Sequence, residues 1–424
     1  MVAATLLAVL LALILLNIPI AFAIGITCAG YLLVSDVSLA ILGQRATQGI
    51  YSYPFLSLPM FVFAGVLMER GGITRRLMRL ANALIGHIAG GLAAVTVLGN
   101  ALFGTLCGSA IGGTAAVGSI MIPAMKKKGY SAPFAASLQG CCGILSSLIP
   151  PSLTMVIMGV TGNLSISDLL IAGFLPGVIM ALALAGVAIW ISKRRGYGAG
   201  DRPPPGELTR AFVGALPPLM LPVIILGGIF GGIVTVTEAA VLAVVYALFL
   251  SSVVYKEMRL ADLPDICMQV LRIAVPIQLI VAISAMFAWI VTTEQITHHF
   301  IELFGAMTTD PLAFLVLISV FMLILGTFME SNALIIILIP ILMPVVQKYG
   351  ISPVHFSTVF VMTLCVGAVT PPLGVTLMTA AKIAGISLAE ACKSLLPFLL
   401  AMIVALAIVI LVPGTSTYLP ALMR

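Results

Sequence analysis

Apolar runs of about twenty residues alternate along this chain with short turns that hold most of its charge. Residues 2–34 are apolar up to a break at Asn17-Ile18-Pro19. This predicts two short tilted crossings, each near the spanning limit of about 17 residues, with one kinked helix as the competing reading. Residues 54–69 form another crossing, ending in Glu69-Arg70-Gly71-Gly72. Over 73–86, Ile73, Leu77, Leu80 and Leu84 recur at helical spacing with Arg75, Arg76 and Arg79 opposite, as in a helix lying along a bilayer surface. Residues 91–126 are apolar but interrupted by GTLCGSAIGGT at 104–114, and each arm is too short to cross alone. A re-entrant hairpin is predicted, with an irregular tip that protein or an aqueous cavity must cover. A crossing over 131–162 breaks at Leu148–Ser152, and 165–192 crosses back to Lys193-Arg194-Arg195.

The polar stretch 193–210, with Pro203-Pro204-Pro205, separates a first half (1–192) from a second (211–424). The second half predicts crossings at 216–234, 236–255 and 273–291, a hairpin at 311–347, a broken crossing at 353–384 and a last crossing at 387–413. The two halves share a motif. PAMKKKGYSAPFAASLQGCCGILSSLIPPSLT at 123–154 aligns without gaps to PVVQKYGISPVHFSTVFVMTLCVGAVTPPLGV at 344–375, so that Pro123 meets Pro344, and Pro150-Pro151 meets Pro371-Pro372. Double proline cannot continue a helix, because it removes donors and clashes with the preceding turn. Matched Gly/Pro interruptions in two halves are the sequence pointer to a transporter's binding site. About five crossings per half, an odd number, predicts halves of opposite orientation, and charge agrees. The turn at 70–79 carries four arginines, whereas 291–300 carries Glu294, His298 and His299 with no Lys or Arg.

Composition sets the class: 61% hydrophobic, 8% charged and a mean hydropathy of +1.24 describe an all-α polytopic membrane protein. Continuous runs argue against a β-barrel, whose strands would alternate. The net charge of +6 lies in the turns and reads as an orientation signal, not a nucleic-acid patch. The seven cysteines are scattered and read as small core residues, and the N-terminus lacks the basic start and cleavage site of a signal peptide. No nucleotide-binding P-loop or Ser–His–Asp signal is present, so an enzyme is not expected and uphill transport would use an ion gradient or a partner.

The chemistry is expected at the interruptions. Unwound backbone frees carbonyl oxygens, Ser/Thr hydroxyls add neutral ligands, and half-helix N-termini offer positive dipole ends to an anion. The first candidate ion site joins Gly108, Ser109, Gly112 and Thr114 at the tip to Leu148, Pro150, Pro151 and Ser152 at the break. The second joins Gly326, Met329, Glu330, Ser331 and Asn332 to Gly367, Thr370, Pro371 and Gly374. Oxygen ligands without a carboxylate cluster suit Na⁺ better than a transition metal. Packing kinks are the plainer alternative, which the matched pair disfavours. Glu330 costs at least about 2.5 kcal/mol if its charge lies near the midplane, and three roles are open to it: indirect hold on Na⁺, proton titration, or capping freed backbone NH groups. Glu238 and Asp168 have the spacing of helix caps, and His87, His298, His299 and His355 lack a catalytic partner.

At these residues the chain resembles the large membrane subunit of tripartite ATP-independent periplasmic (TRAP) transporters. GSAIGGTAAVGSIMIPAMKKKGY at 108–130, IPPS at 149–152, FME at 328–330 and the 350–374 stretch carry the resemblance, which spans essentially the whole chain. Where that family often has Pro after Met-Glu and Asp in the first tip, Ser331 and Gly113 stand here. The resemblance implies a sodium-coupled importer of organic acids in a bacterial inner membrane, with at least two Na⁺, a periplasmic substrate-binding protein and a separate small membrane subunit. It further implies an elevator, in which hairpins and broken helices move against a scaffold, with 73–86, 260–272 and 294–305 as cradling arms. The substrate, a dicarboxylate, sialic acid or another carboxylate, would bind between the tips near Ser109, Ser152, Asn332 and Thr370. A stand-alone symporter or exchanger of similar fold and a non-transporting membrane scaffold are the alternatives.

Overall fold

A computed structural model of the chain describes residues 2–16, 18–51, 53–198 and 203–423, and these fold as helices joined by short turns. Five helices are long and apolar enough to cross a membrane, or up to eight when each bent pair counts as one span. Val2–Leu15 and Ile20–Val34 lie side by side: Thr5, Leu6 and Val9 face Ile26, Thr27, Gly30 and Tyr31 across one groove. The 2–34 run is therefore two helices, although Asn17 at the expected break is outside the described residues. Ala40–Ile50, whose mixed composition gave no signal, packs on the long helix Leu263–Thr293 so closely that a methyl group at Gly49 would stand 2.7 Å from that of Ala285.

Ile73–Ile85 follows the left-handed Gly72 and buries Ile73, Leu77 and Leu80, while Leu84 stays exposed. Its basic face docks on the second half. Arg79 forks onto Glu207 at 2.6 and 3.0 Å, and Arg76 bonds Glu257 at 2.7 Å while lying 3.6 Å over the Tyr255 ring. The linker's residues 199–202 fall outside the described residues, and Glu207–Phe230 begins inside the stretch read as linker. The expected separate arm at 260–272 does not exist. Leu260–Asp262 is one tight turn, and Leu263–Thr293 then runs unbroken for 31 residues with Pro276 inside it. The arm expected at 294–305 is a helix, Ile296–Met307. After Leu396–Leu411 an unforeseen helix, Gly414–Leu422, turns by 59° and brings Ser416 Oγ to 2.7 Å from the buried His355 Nδ1.

The two interrupted pairs dominate the centre. The first hairpin has arms Gly91–Cys107 and Ala110–Lys127, and the second Pro311–Gly326 and Ser331–Lys348. Beside the first, the helix through Ala132–Gly143 and Leu145–Leu148 breaks and resumes as Leu153–Thr161 at 46°. Beside the second, Pro353–Gly367 breaks and resumes as Val375–Ala384. Pro150–Pro151 and Pro371–Pro372 are both cis. Each broken helix crosses the entering arm of its hairpin at backbone contact. A methyl group on Gly104 would lie 3.0 Å from Ser146 Cα, and one on Gly367 would lie 2.9 Å from the backbone of Gly326.

One polar network ties the first hairpin together. Asn100 and Gln139, both fully buried, exchange amide bonds of 3.0 and 3.2 Å, and Gln139 also donates to Thr114 O at 3.1 Å. The second half has buried Phe360 at the place matching Gln139, so the fold itself does not require the amides.

Gly367→Ala is expected to destabilise the detergent-solubilised protein by about 1–3 kcal/mol, because the methyl meets backbone that cannot turn aside. Gly186→Ala, with no atom within 4 Å, is the control and leaves the thermal midpoint unchanged. Gln139→Leu is expected to cost about 1–3 kcal/mol by stranding Asn100, and the double change to leucine less than the two single costs added, as read from a double-mutant cycle of melting.

Candidate functional site

Each hairpin tip is a gap of a few residues between an arm's C-terminus and the next arm's N-terminus. In the first, Gly108 takes the left-handed conformation (φ 64°), and a side chain there would strike Pro151 O at 2.7 Å. Its carbonyl accepts the Leu153 amide from the break at 3.2 Å. Ser109 Oγ then accepts the Gly112 amide at 3.3 Å and caps the returning arm. The irregular segment is thus shorter than the sequence suggests, with Ala110 to Thr114 already helical. The second tip repeats the scheme: Thr327 O accepts the Leu373 amide at 3.2 Å, and Glu330 caps the returning arm by accepting the Ala333 amide at 3.2 Å. Asn332 Nδ2 donates to the other carboxylate oxygen at 2.8 Å. Ser109 and Glu330 occupy matching places, one offering a hydroxyl and the other a carboxylate.

The two tips and two breaks meet at a cavity of about 70 Å³. Of the expected site residues, Gly108, Ser109, Met329, Glu330, Ser331 and Asn332 line it. Others stand behind it. Ser152 spends its hydroxyl on Ser147 O and the Met155 amide, Thr370 donates to Val366 O, and Thr114 donates to Ala110 O while wedged against Gly143. Gly112, Leu148, Pro150, Pro151, Gly326, Gly367, Pro371 and Gly374 are likewise absent from the lining and shape the turns that form it. Ser147, Thr154 and Thr376 line the cavity and were missed, although hydroxyls flanking a double proline were a visible signal.

Four helices begin at this cavity. Ala110–Lys127, Leu153–Thr161, Ser331–Lys348 and Val375–Ala384 each contribute first-turn residues to its wall. Their amide ends carry partial positive charge, which favours an anion although no Lys or Arg is in the lining. Oxygens complement them: the Glu330 carboxylate lines the space, and Asn332 Oδ1 is buried with no hydrogen-bond partner. An orphaned buried carbonyl beside a carboxylate is the arrangement a hard monovalent cation satisfies. The site can therefore seat an acid and a small cation together.

Residues 7–415 match the family described as "Tripartite ATP-independent periplasmic transporter, DctM component". The chain is 37% identical over 389 residues to the C4-dicarboxylate TRAP transporter large permease protein DctM of Pseudomonas aeruginosa, covering 92% of this chain and 91% of that one. It is 35% identical over 407 residues to the sialic acid TRAP transporter large permease protein SiaM of Vibrio cholerae, covering 96% and 95%. Among solved structures the YdaH transporter of Alcanivorax borkumensis shares the fold, with a TM-score of 0.57 at 15% identity over 88% of each chain. With the family matched along nearly the whole chain, this multi-pass membrane protein belongs to the large permease subunits of TRAP transporters.

Proposed function

We propose that the chain carries small organic acids into the cell across a bacterial inner membrane, driven by Na⁺, as the large permease of a three-part system. The observation that carries this reading is the meeting of four helix N-termini with the Glu330 and Asn332 oxygens around one small cavity. The N-termini favour a carboxylate, the oxygens favour Na⁺, and each ligand lowers the cost of holding the other. Sodium sites at each tip with its neighbouring break, at least two in all, are part of this reading, and the similar tip-to-break contacts of the two halves support it. The dicarboxylate and sialic acid permeases among its relatives support a carboxylate, and on this reading a periplasmic binding protein sets much of the selectivity. A small membrane subunit completes the system. Opposite orientation of the halves and an elevator-like movement of hairpins against scaffold belong to the same reading.

Reconstitution with a small subunit and binding protein tests it: acid uptake should need an inward Na⁺ gradient and vanish without one. Efficient sodium-driven uptake by this chain alone would instead favour the stand-alone symporter. Glu330→Ser keeps a capping oxygen but removes the charge, and is expected to fold as the parent while the sodium concentration for half-maximal uptake rises about tenfold, a difference of ~1.4 kcal/mol. An unchanged sodium requirement would leave Glu330 with the cap alone. Cysteines introduced at 75 and 298 should be labelled from opposite faces of the membrane by an impermeant reagent; labelling from one face would dismiss the inverted arrangement.

A further inference from the structure

A second cavity, about 280 Å³, lies between Ser57–Arg70, Leu263–Thr293 and the first hairpin. Ser109, Ile111 and Leu153 wall both this space and the one between the tips, so the two are separated only by those side chains. Its remaining walls are largely apolar, with Val62, Val66 and Ile273, and its polar groups are Glu69, Gln269 and the Cys107 thiol. Glu69 sits one residue before the arginine-rich turn, yet no hydrogen bond or salt bridge reaches its carboxylate among the described residues. Arg70 attracts the carboxylate from beyond ion-pair distance while bonding Gln269 Oε1 at 3.1 Å, and Arg76 and Arg79 are engaged with Glu257 and Glu207.

We infer that Glu69 is a way-station for a monovalent cation on the path between the first hairpin tip and the membrane face that carries Arg70–Arg79. The inference rests on the reading that this chain moves Na⁺. An unpaired carboxylate in an apolar-walled space focuses a negative field into it, and a small hydrated cation is the ligand that offsets this. One carboxylate with an amide oxygen is too sparse a set to hold a divalent ion. The same field repels a carboxylate cargo, so Glu69 sorts ion from acid at the opening and keeps released acid from returning beside the ion. Ile111, 44% exposed at the shared wall, and Leu153 form the apolar step between station and tip site.

Cys107 gives a readout independent of transport. In a chain whose exposed Cys267 and half-buried Cys392 are replaced by serine, the other four cysteines being buried, Cys107 is the reporter of this cavity. After division by the ratio the two reagents show with a free thiol, a cationic methanethiosulfonate applied from the arginine face should modify Cys107 about tenfold faster than an anionic one of similar size, and Glu69→Gln should bring that normalised ratio to about one. Glu69→Asp should retain it. In the full transporter, Glu69→Gln should raise the half-saturating Na⁺ on the arginine face about tenfold and leave the opposite face unchanged. A reagent ratio in the parent no greater than that of a free thiol, or an equal sodium shift on both faces, would overturn the station. Sodium-independent uptake by the parent would overturn the sodium reading itself, whereas a sodium-dependent parent with an indifferent Glu69→Gln would overturn only the station.

Discussion

Backbone that leaves the helix inside a bilayer has no water to satisfy it, and this constraint governs the centre of the molecule. Each interruption frees carbonyls on one side and amides on the other, at several kcal/mol apiece if left bare. The chain answers by setting a broken helix against each hairpin, so that the two gaps face one another. Gly108 O takes the Leu153 amide, and Thr327 O takes the Leu373 amide. The remaining amide ends are capped by Ser109, Ser152 and Glu330. What is left over is a cluster of half-satisfied helix starts around a small space. The cavity between the tips is thus what remains of a structural problem incompletely solved, and under the proposed function a ligand would complete the solution.

Close approach of the gaps depends on the lack of side chains where the elements cross. Gly367 lies against Gly326, and Gly104 against Ser146, at separations that allow no added methyl. Packing of this kind is the usual means of helix association where lipid provides no hydrophobic drive. It also fixes the tips relative to the breaks, so that hairpin and broken helix form one unit. Ala40–Ile50 and Leu263–Thr293 pack on each other by the same device at Gly49. The arginine helix is joined to the second half by packing on Glu207–Phe230 and, on its polar face, by the half-buried Arg76–Glu257 pair and the more open Arg79–Glu207 pair.

Much of this was legible because glycine and proline act locally. The double prolines and the glycine-rich tip marked, within a few residues, the places where the helices end and resume. What escaped depends on tertiary neighbours. In place of the separate arm expected at 260–272, the helix from Leu263 continues into the crossing, and the one donor missing at Pro276 is tolerated. Ala40–Ile50 and Gly414–Leu422 lack the long apolar signature and are held by packing. The lining hydroxyls of Thr154 and Thr376 belong to helix starts whose direction only the fold determines. The expected tip ligands Thr114 and Ser152 are oxygen-bearing residues of the right type, but their hydroxyls are committed to their own backbone.

The matched caps raise a sharper question of why one tip carries a charge. Ser109 and Ser152 show that a hydroxyl is enough to satisfy a freed amide in this setting, and serine ranks with the acidic residues as a cap. A carboxylate at membrane depth costs at least about 2.5 kcal/mol more than a neutral side chain, so capping alone gives no reason for Glu330. Converging helix starts recover part of that cost, at about 0.3–1 kcal/mol for each favourable end, and the Asn332 amide recovers more. The balance is closest when a cation joins the carboxylate and the orphaned Asn332 Oδ1, and least favourable when an acid arrives alone. On the proposed reading of the site, a negative group at the second tip with a neutral one at the first would set the order of arrival: the ion first, then the anion that its charge admits.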